Sequence, residues 1–316
     1  MKSLLLRRPI VIALTLGAIV LAGNGIASYA QPLSQKSSAK NTLTLNNHQA
    51  LPSPNLTLPV RTVTPPAIYA KAYMVTDTET RYPLAEKNAD TRFPIASTTK
   101  LMTAIVALNE YEPNTIITVS KQAAQISGSE INLMTNEKMT VENLLYALLV
   151  SSANDAAYAL ADAMDGGCQA FVAKMNQTAT QLGLRNTRYA DPAGLNDEGY
   201  SSPRDLATVA TITLRYHLLK SIIGTAKRTI TSADGRYKHE LINTNRLIQP
   251  EESLYYSNAI GGKTGYTEGA GHCLVAAANG KDGKQYIAVV LNTNVSSKTA
   301  SAQESRKLLT WAIQSQ

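Results

Sequence analysis

Three short groups of residues carry the functional groups that acyl transfer through a serine requires: Ser97-Thr98-Thr99-Lys100, Ser152-Ala153-Asn154 and Lys263-Thr264-Gly265. A serine hydroxyl is a weak nucleophile at neutral pH and needs a base beside it. Lys100, three residues on, shares a helix face with Ser97 and reaches back to it. Lysine serves as a base only when burial or a nearby cation weakens its hold on its proton, and Lys263 is the cation at hand. Ser152 can relay a proton to a leaving amine, while the Asn154 amide can hold a substrate carbonyl. Lys263 with Thr264 suits a terminal carboxylate, and Gly265 on a strand edge lets a substrate backbone come close. The N–H groups of Tyr266 and Ser97 would make the two halves of an oxyanion hole.

Each group alone has an ordinary structural explanation. Ser97 can cap a helix with Lys100 on a solvated face, Ser152 or Asn154 can cap the next helix, and the glycines around Lys263 can make a turn. The chain shows how freely such patterns arise, since Ser37-Ser38-Ala39-Lys40 repeats the first and Ser53-Pro54-Asn55 the second. What separates the two sets is the elements that must hold them.

Apolar spacing of three and four predicts helices over 97–108, 140–150, 154–164 and 169–182, within a largely helical stretch from 97 to 215. Thr140 is placed to cap the second of these. Strand patterns occupy 68–76 and 81–86 before that stretch, and 225–232, 237–242, 274–278 and 285–291 after it, with a closing helix over 299–313. Strands at both ends of a helical middle predict an α/β (α+β) fold whose antiparallel sheet joins distant parts of the chain and is covered by helices. Ser97 then stands at a helix start, where backbone N–H groups favour negative charge. Ser152 and Asn154 fall on a turn leaving a buried helix, and Lys263 falls on a strand edge.

At 316 residues and 44% hydrophobic content, the chain can bury one large core. Residues 1–30 run from Lys2, Arg7 and Arg8 through an apolar run, Ile10 to Ala22, to the small residues around Ser28 and Ala30. That order predicts a secretory signal peptide and an extracytoplasmic protein; the competing reading is an uncleaved anchor attaching the chain to a membrane by its N-terminus. The run, interrupted by Thr15 and Gly17, falls short of the roughly 20 apolar residues a membrane span needs. Residues 31–66, rich in Pro, Ser, Asn, Gln and Thr, read as a disordered linker, leaving 67–316 as the folded domain. The net charge of +7 is spread without basic clusters or interleaved aromatics, which excludes a nucleic-acid partner and suits a negatively charged cell envelope. His48, His217, His239 and His272 form no paired ligand spacing, so neither a metal nor another cofactor is expected. His272, before an apolar run, reads as a strand-edge residue rather than a base. Cys168 and Cys273 sit in apolar company and read as buried thiols rather than a bridge.

The surroundings of the three motifs resemble the low-molecular-mass penicillin-binding proteins, specifically the D-alanyl-D-alanine carboxypeptidase family of serine DD-peptidases. The resemblance rests on Ala96 to Thr103, Ser152-Ala153-Asn154-Asp155-Ala156, Leu182-Gly183-Leu184, Asp191-Pro192-Ala193-Gly194-Leu195 and Gly262-Lys263-Thr264-Gly265-Tyr266-Thr267, and covers about 67–316. It implies the serine β-lactamase and penicillin-binding-protein fold, with a five-stranded antiparallel sheet flanked by helices and a helical subdomain. It also implies a peptidoglycan stem peptide as substrate, Ser97 as the acylated residue, and β-lactam antibiotics as covalent inhibitors. Many members have Gly where this chain has Ala153, whose methyl would narrow the cleft, and many continue into a C-terminal β-rich domain, which is not expected here.

Two other readings share these motifs. A class A β-lactamase uses Glu-x-x-Leu-Asn to hold a deacylating water. The nearest segment, Asp191 to Asn196, has a shorter carboxylate and an extra residue. A non-catalytic wall-binding protein would keep the cleft but normally lose the nucleophile or base. Arg246 is a candidate helper for a substrate carboxylate.

Overall fold

The computed structural model describes residues 64–293 and 297–315. The predicted signal segment, nearly all of the linker and the two look-alike motifs lie outside the described residues. In chain order, β1 (Ala72–Asp77) and β2 (Pro83–Lys87) form the opening hairpin, and β3 (Phe93–Pro94) leads into a 3-10 turn, Ala96–Thr99, and α1 (Lys100–Glu110). A small hairpin of β4 (Ile116–Thr118) and β5 (Lys138–Thr140) precedes α2 (Val141–Val150), α3 (Asn154–Asp162) and α4 (Gly167–Gln181). Next, β6 (Tyr200–Ser201) pairs with β3, followed by α5 (Pro203–Arg215), α6 (His217–Ile223) and the hairpin of β7 (Lys227–Thr231) and β8 (Lys238–Ile242). The chain closes with β9 (Ala259–Thr267), β10 (Gly271–Asn279), β11 (Gln285–Thr293) and α7 (Ala300–Gln314).

The main sheet has five antiparallel strands in the order β2-β1-β11-β10-β9, so the first hairpin joins the last three strands through the β1–β11 pairing. Its apolar runs are nearly continuous because both faces are covered. On β10, Cys273, Val275 and Ala277 face the core shared with α1 to α6, whereas Leu274, Ala276 and Ala278 face α7; β11 divides likewise. Helix α7 seals its face with Leu308, Leu309, Ala312 and Ile313, the two leucines and the isoleucine each contributing about 1.5–3 kcal/mol if fully buried. Thr140 caps α2, its hydroxyl accepting the Asn143 N–H at 3.2 Å. The short strands β4, β5 and β6 fall inside the stretch predicted as helical, because strands of two or three residues carry too little alternation to register. Both cysteines are free thiols, with Cys273 buried. No described helix is long and apolar enough to cross a membrane.

Two consequences bear on the site. Strand β9 is an edge of the sheet, with β10 on one side only. Helix α1 runs through the main core, which forces its first residue, Lys100, into the interior.

Candidate active site

Ser97 lies in the 3-10 turn immediately before α1 and is partly exposed. Neither the turn nor α1 has a side-chain N-cap, so Ser97 is not spent on capping. Lys100 Nζ is 2.7 Å from Ser97 Oγ, 2.8 Å from Asn154 Oδ1 and 2.9 Å from the Ala193 carbonyl. The amide orientation of Asn154 is tied down from its other side, where Nδ2 donates to the Ser127 carbonyl at 3.0 Å. Two of the three partners of Nζ can only accept, and the third is a hydroxyl that can donate. The set serves both forms of the amine: an ammonium donates to all three, and a neutral amine donates to two and takes the Ser97 O–H on its lone pair.

Electrostatics bring the neutral form within reach near neutral pH. Lys100 is fully buried, and burial pulls its pKa from 10.5 to about 7 against the opposing charges of Asp191 and Asp155. Desolvation, the first of the two routes open to the sequence, is thus the largest cause weakening its hold on its proton. Lys263, also buried, is held well below the ordinary lysine value by desolvation first and by the charge of Lys100 second. Its Nζ donates to Ser152 Oγ and to the Thr264 carbonyl, both at 2.9 Å. Ser152 has φ +61°, a left-handed conformation that a non-glycine residue holds only under constraint, and this turns its hydroxyl towards Lys263.

The structure therefore brings these residues together as two hydrogen-bonded sets, Ser97–Lys100–Asn154 and Ser152–Lys263, close enough for the charge of Lys100 to act on Lys263. Thr264 follows on β9, its hydroxyl 2.5 Å from that of Thr244. Gly265 has a sharper reason to be glycine than substrate access alone. A Cβ there would sit 2.9 Å from the Ile95 carbonyl and 3.1 Å from Ser97 N, so β9 packs its backbone directly on the nucleophile turn. Tyr266 is half exposed and stacks on His272, its partner across the β9–β10 ladder, with ring centroids 4.4 Å apart. Arg246 lies elsewhere in function: it donates to both carboxylate oxygens of Glu252 at 2.7 Å. The Ala153 methyl does not narrow a cleft, since it is wholly buried in the main core and its φ of −61° makes no demand for glycine.

Backbone atoms supply what the motifs do not show. Asp191 is nearly buried, and its Oδ1 accepts the N–H groups of Ala193, Gly194 and Leu195 while Oδ2 accepts that of Asn196. This carboxylate shapes the loop that points the Ala193 carbonyl at Lys100; saturated in this way, it does not resemble a base holding water. Gly194, at φ +76°, lets the loop touch the nucleophile turn, because a Cβ would lie 1.9 Å from the Ala96 carbonyl. Ala96 itself has φ +45°, a strained geometry held by these contacts. The signal in the sequence was an Asp followed by closely spaced N–H donors and a glycine, the pattern of an aspartate-organised turn. No residue type announces a carbonyl such as that of Ala193 or Ser127. Among the described residues, no cluster of His, Cys, Asp or Glu is arranged to hold a metal ion.

Comparison with known proteins gives the same family. A family model described as D-alanyl-D-alanine carboxypeptidase matches residues 59–295. The chain is 36% identical over 245 residues to the D-alanyl-D-alanine carboxypeptidase DacF of Bacillus subtilis (strain 168), covering 76% of this chain and 61% of that protein. It is 36% identical over 262 residues to a D-alanyl-D-alanine carboxypeptidase of Streptomyces sp., covering 77% and 88%. Against a D-alanyl-D-alanine endopeptidase of Pseudomonas aeruginosa the identity is 34% over 228 residues, covering 72% and 71%. A solved Streptomyces DD-transpeptidase superposes with a TM-score of 0.72 at 34% identity, over 79% of this chain and 98% of that one. Joined to a buried lysine against a serine hydroxyl on a helix-flanked five-stranded sheet, these likenesses place the chain in the D-alanyl-D-alanine carboxypeptidase family of serine peptidases.

Proposed function

We propose that the chain is a serine-type D-Ala-D-Ala carboxypeptidase that removes the terminal D-Ala of peptidoglycan stem pentapeptides. The observation that carries this reading is the contact set of Lys100, which admits a neutral amine beside the Ser97 hydroxyl. Lys100 takes the hydroxyl proton as Ser97 Oγ attacks the penultimate D-Ala carbonyl. The N–H groups of Ser97 and Tyr266 receive the negative oxygen, as donors aimed at developing charge. As the C–N bond breaks, the leaving amine takes a proton relayed through Ser152, and D-Ala departs. Water then hydrolyses the ester on Ser97.

Lys263, with Thr264, binds the terminal carboxylate. An arriving anion restores the proton affinity that burial removes from Lys263, so substrate binding and Lys263 protonation reinforce each other. Asn154 holds the substrate carbonyl on one side and orients Lys100 on the other. Penicillins, which mimic the dipeptide, acylate Ser97 by the same steps and are released slowly. The saturation of Asp191 by backbone donors disfavours the β-lactamase reading, and the intact Ser97–Lys100 pair disfavours a non-catalytic binder. The reading places the chain outside the cytoplasm, consistent with the order of residues 1–30 and with N-terminal membrane attachment if that segment is retained.

The test is incubation with a pentapeptide muropeptide and mass analysis, using Ser97→Ala as control. Loss of one alanine, abolished in the variant along with labelling by a fluorescent penicillin, is expected. Cleavage of cross-linked dimers alone would make the chain an endopeptidase, and D-Ala release by the variant would remove Ser97 from the mechanism.

A further inference from the structure

Beside the site, residues 127–134 run without helix or strand, hung from buried side chains and turns of their neighbours. Asn154 Nδ2 donates to the Ser127 carbonyl and the Asn154 N–H to the Ser129 carbonyl at 2.6 Å. Asp155 accepts the Ile131 and Leu133 N–H groups at 3.2 and 3.0 Å. A further anchor comes from β8, across the hairpin that borders this segment. His239 Nδ1 lies 2.9 Å from the Ile131 carbonyl, and Nε2 lies 2.7 Å from Glu137 Oε1. The other Glu137 oxygen accepts the Met134 N–H at 2.8 Å. His239 is 9% exposed and Glu137 1%, while Lys238 and Glu240, the neighbours of His239 on β8, are exposed on the other face.

Hydrogen-bond roles limit the protonation of this pair. A carbonyl only accepts, so Nδ1 carries a proton. Nε2 faces a carboxyl oxygen, and a bond there needs one more proton, on the ring or on the acid. An imidazole is ordinarily the stronger base of the two, which puts the proton on the ring. A buried imidazolium facing a buried carboxylate is neutral as a pair, the condition under which such charges are tolerated.

We propose that His239, as an imidazolium paired with Glu137, is a positioning residue that fixes the 127–134 segment and, through the Ser127 and Ser129 carbonyls, the amide of Asn154. This rests on the carboxypeptidase reading, in which Asn154 orients both substrate and Lys100. It touches no reacting atom; through Asn154 its removal reaches both Lys100 and the bound substrate, and turnover falls.

Two measurements on the full chain test it. Nitrogen-15 NMR of the histidine rings at pH 7, with signals assigned through H48Q, H217Q and H272Q so that His239 stays in place, should show both ring nitrogens of His239 protonated; a single ring N–H overturns the ion pair. Glu137→Gln, whose amide can accept the Met134 N–H and donate to a neutral ring, should stay nearer the wild type, whereas Glu137→Leu, which gives up both bonds, should lower kcat for D-Ala release at least tenfold. The count of penicillin-titratable sites corrects for unfolded protein. In Glu137→Leu, a kcat per titrated site equal to the wild type overturns the positioning role and marks the pair as structural only. A wild-type chain inert towards the pentapeptide would instead count against the carboxypeptidase reading, and the ring signal would still decide the ion pair.

Discussion

If neutral Lys100 is the base that activates Ser97, acylation must follow the titration of a single buried amine. Burial brings that group to about 7 from 10.5. For one titrating group, the neutral fraction is about a tenth at pH 6, a half at pH 7 and nine tenths at pH 8. The second-order rate constant for acylation by a fluorescent penicillin, followed by stopped flow, should therefore rise about tenfold from pH 6 to pH 8 and then level off. Asp191→Asn sharpens the test, because the Asp191 charge is the larger of the two that favour the charged form of Lys100. Removing it moves the midpoint down, so the variant gains relative activity at pH 6. The substitution also turns an acceptor into a donor. In its least costly orientation the new NH2 group faces the Asn196 N–H, now 2.7 Å from Oδ2, and costs about 1–3 kcal/mol. At roughly 2–4 °C of melting temperature per kcal/mol for a domain of this size, the assay belongs well below the transition. A rate constant flat between pH 6 and 8, or a midpoint that rises in Asp191→Asn, would refute the assignment of Lys100 as base.

Other perturbations probe separate parts of the site. Lys263→Ala removes a charge-assisted carboxylate contact and should cost more than tenfold, about 1.4 kcal/mol or more, in kcat/KM on a D-Ala-D-Ala peptide; an unchanged value moves carboxylate recognition elsewhere. Gly194→Ala drives a methyl to within 1.9 Å of the Ala96 carbonyl at a positive φ, where neither backbone can yield cheaply. Penicillin labelling should fall at least tenfold in the folded protein, and wild-type labelling would show that the nucleophile turn does not depend on this loop. Thr244→Val deletes the hydroxyl paired with Thr264 and should raise KM several-fold with little change in kcat, measured by steady-state D-Ala release. Leu309→Ala in α7, remote from the chemistry, should lower stability by about 2–5 kcal/mol in denaturant unfolding while leaving kcat per folded molecule unchanged.

The elements that hold the site were legible because they are long and periodic. The reading over 140–150 corresponds to α2 with Thr140 as its cap, and that over 154–164 to α3, which Asn154 opens. Strands β10 and β11 extended beyond their predicted 274–278 and 285–291, since Gly271, His272 and Thr293 pair without any apolar signal of their own. Strand β9 was readable only as an edge, because its glycines suppress alternation; Gly262 tolerates no side chain where a Cβ would lie 2.0 Å from the Val275 carbonyl. Between α1 and α2, and again before α5, the expected helix gave way to loops organised by Asp155, Glu137 and Asp191. Their backbone bonds end on single side chains, which leave no period to detect.

Residue identity and the spacing of Ser97 and Lys100 along one turn are properties of the sequence alone, because helical geometry is local and repeats wherever the pattern occurs. Whether such a pair is chemically alive is not local. Ser37 and Lys40 have the same spacing as Ser97 and Lys100, but only the placement of α1 in the core desolvates Lys100 and sets the Ala193 carbonyl and Asn154 amide against it. Desolvation depends on everything packed around a charge, and a carbonyl's direction depends on the fold of its loop. The tertiary structure therefore decided the protonation of Lys100, the separate pairing of Arg246 with Glu252, and the use of Asp191 as a loop organiser.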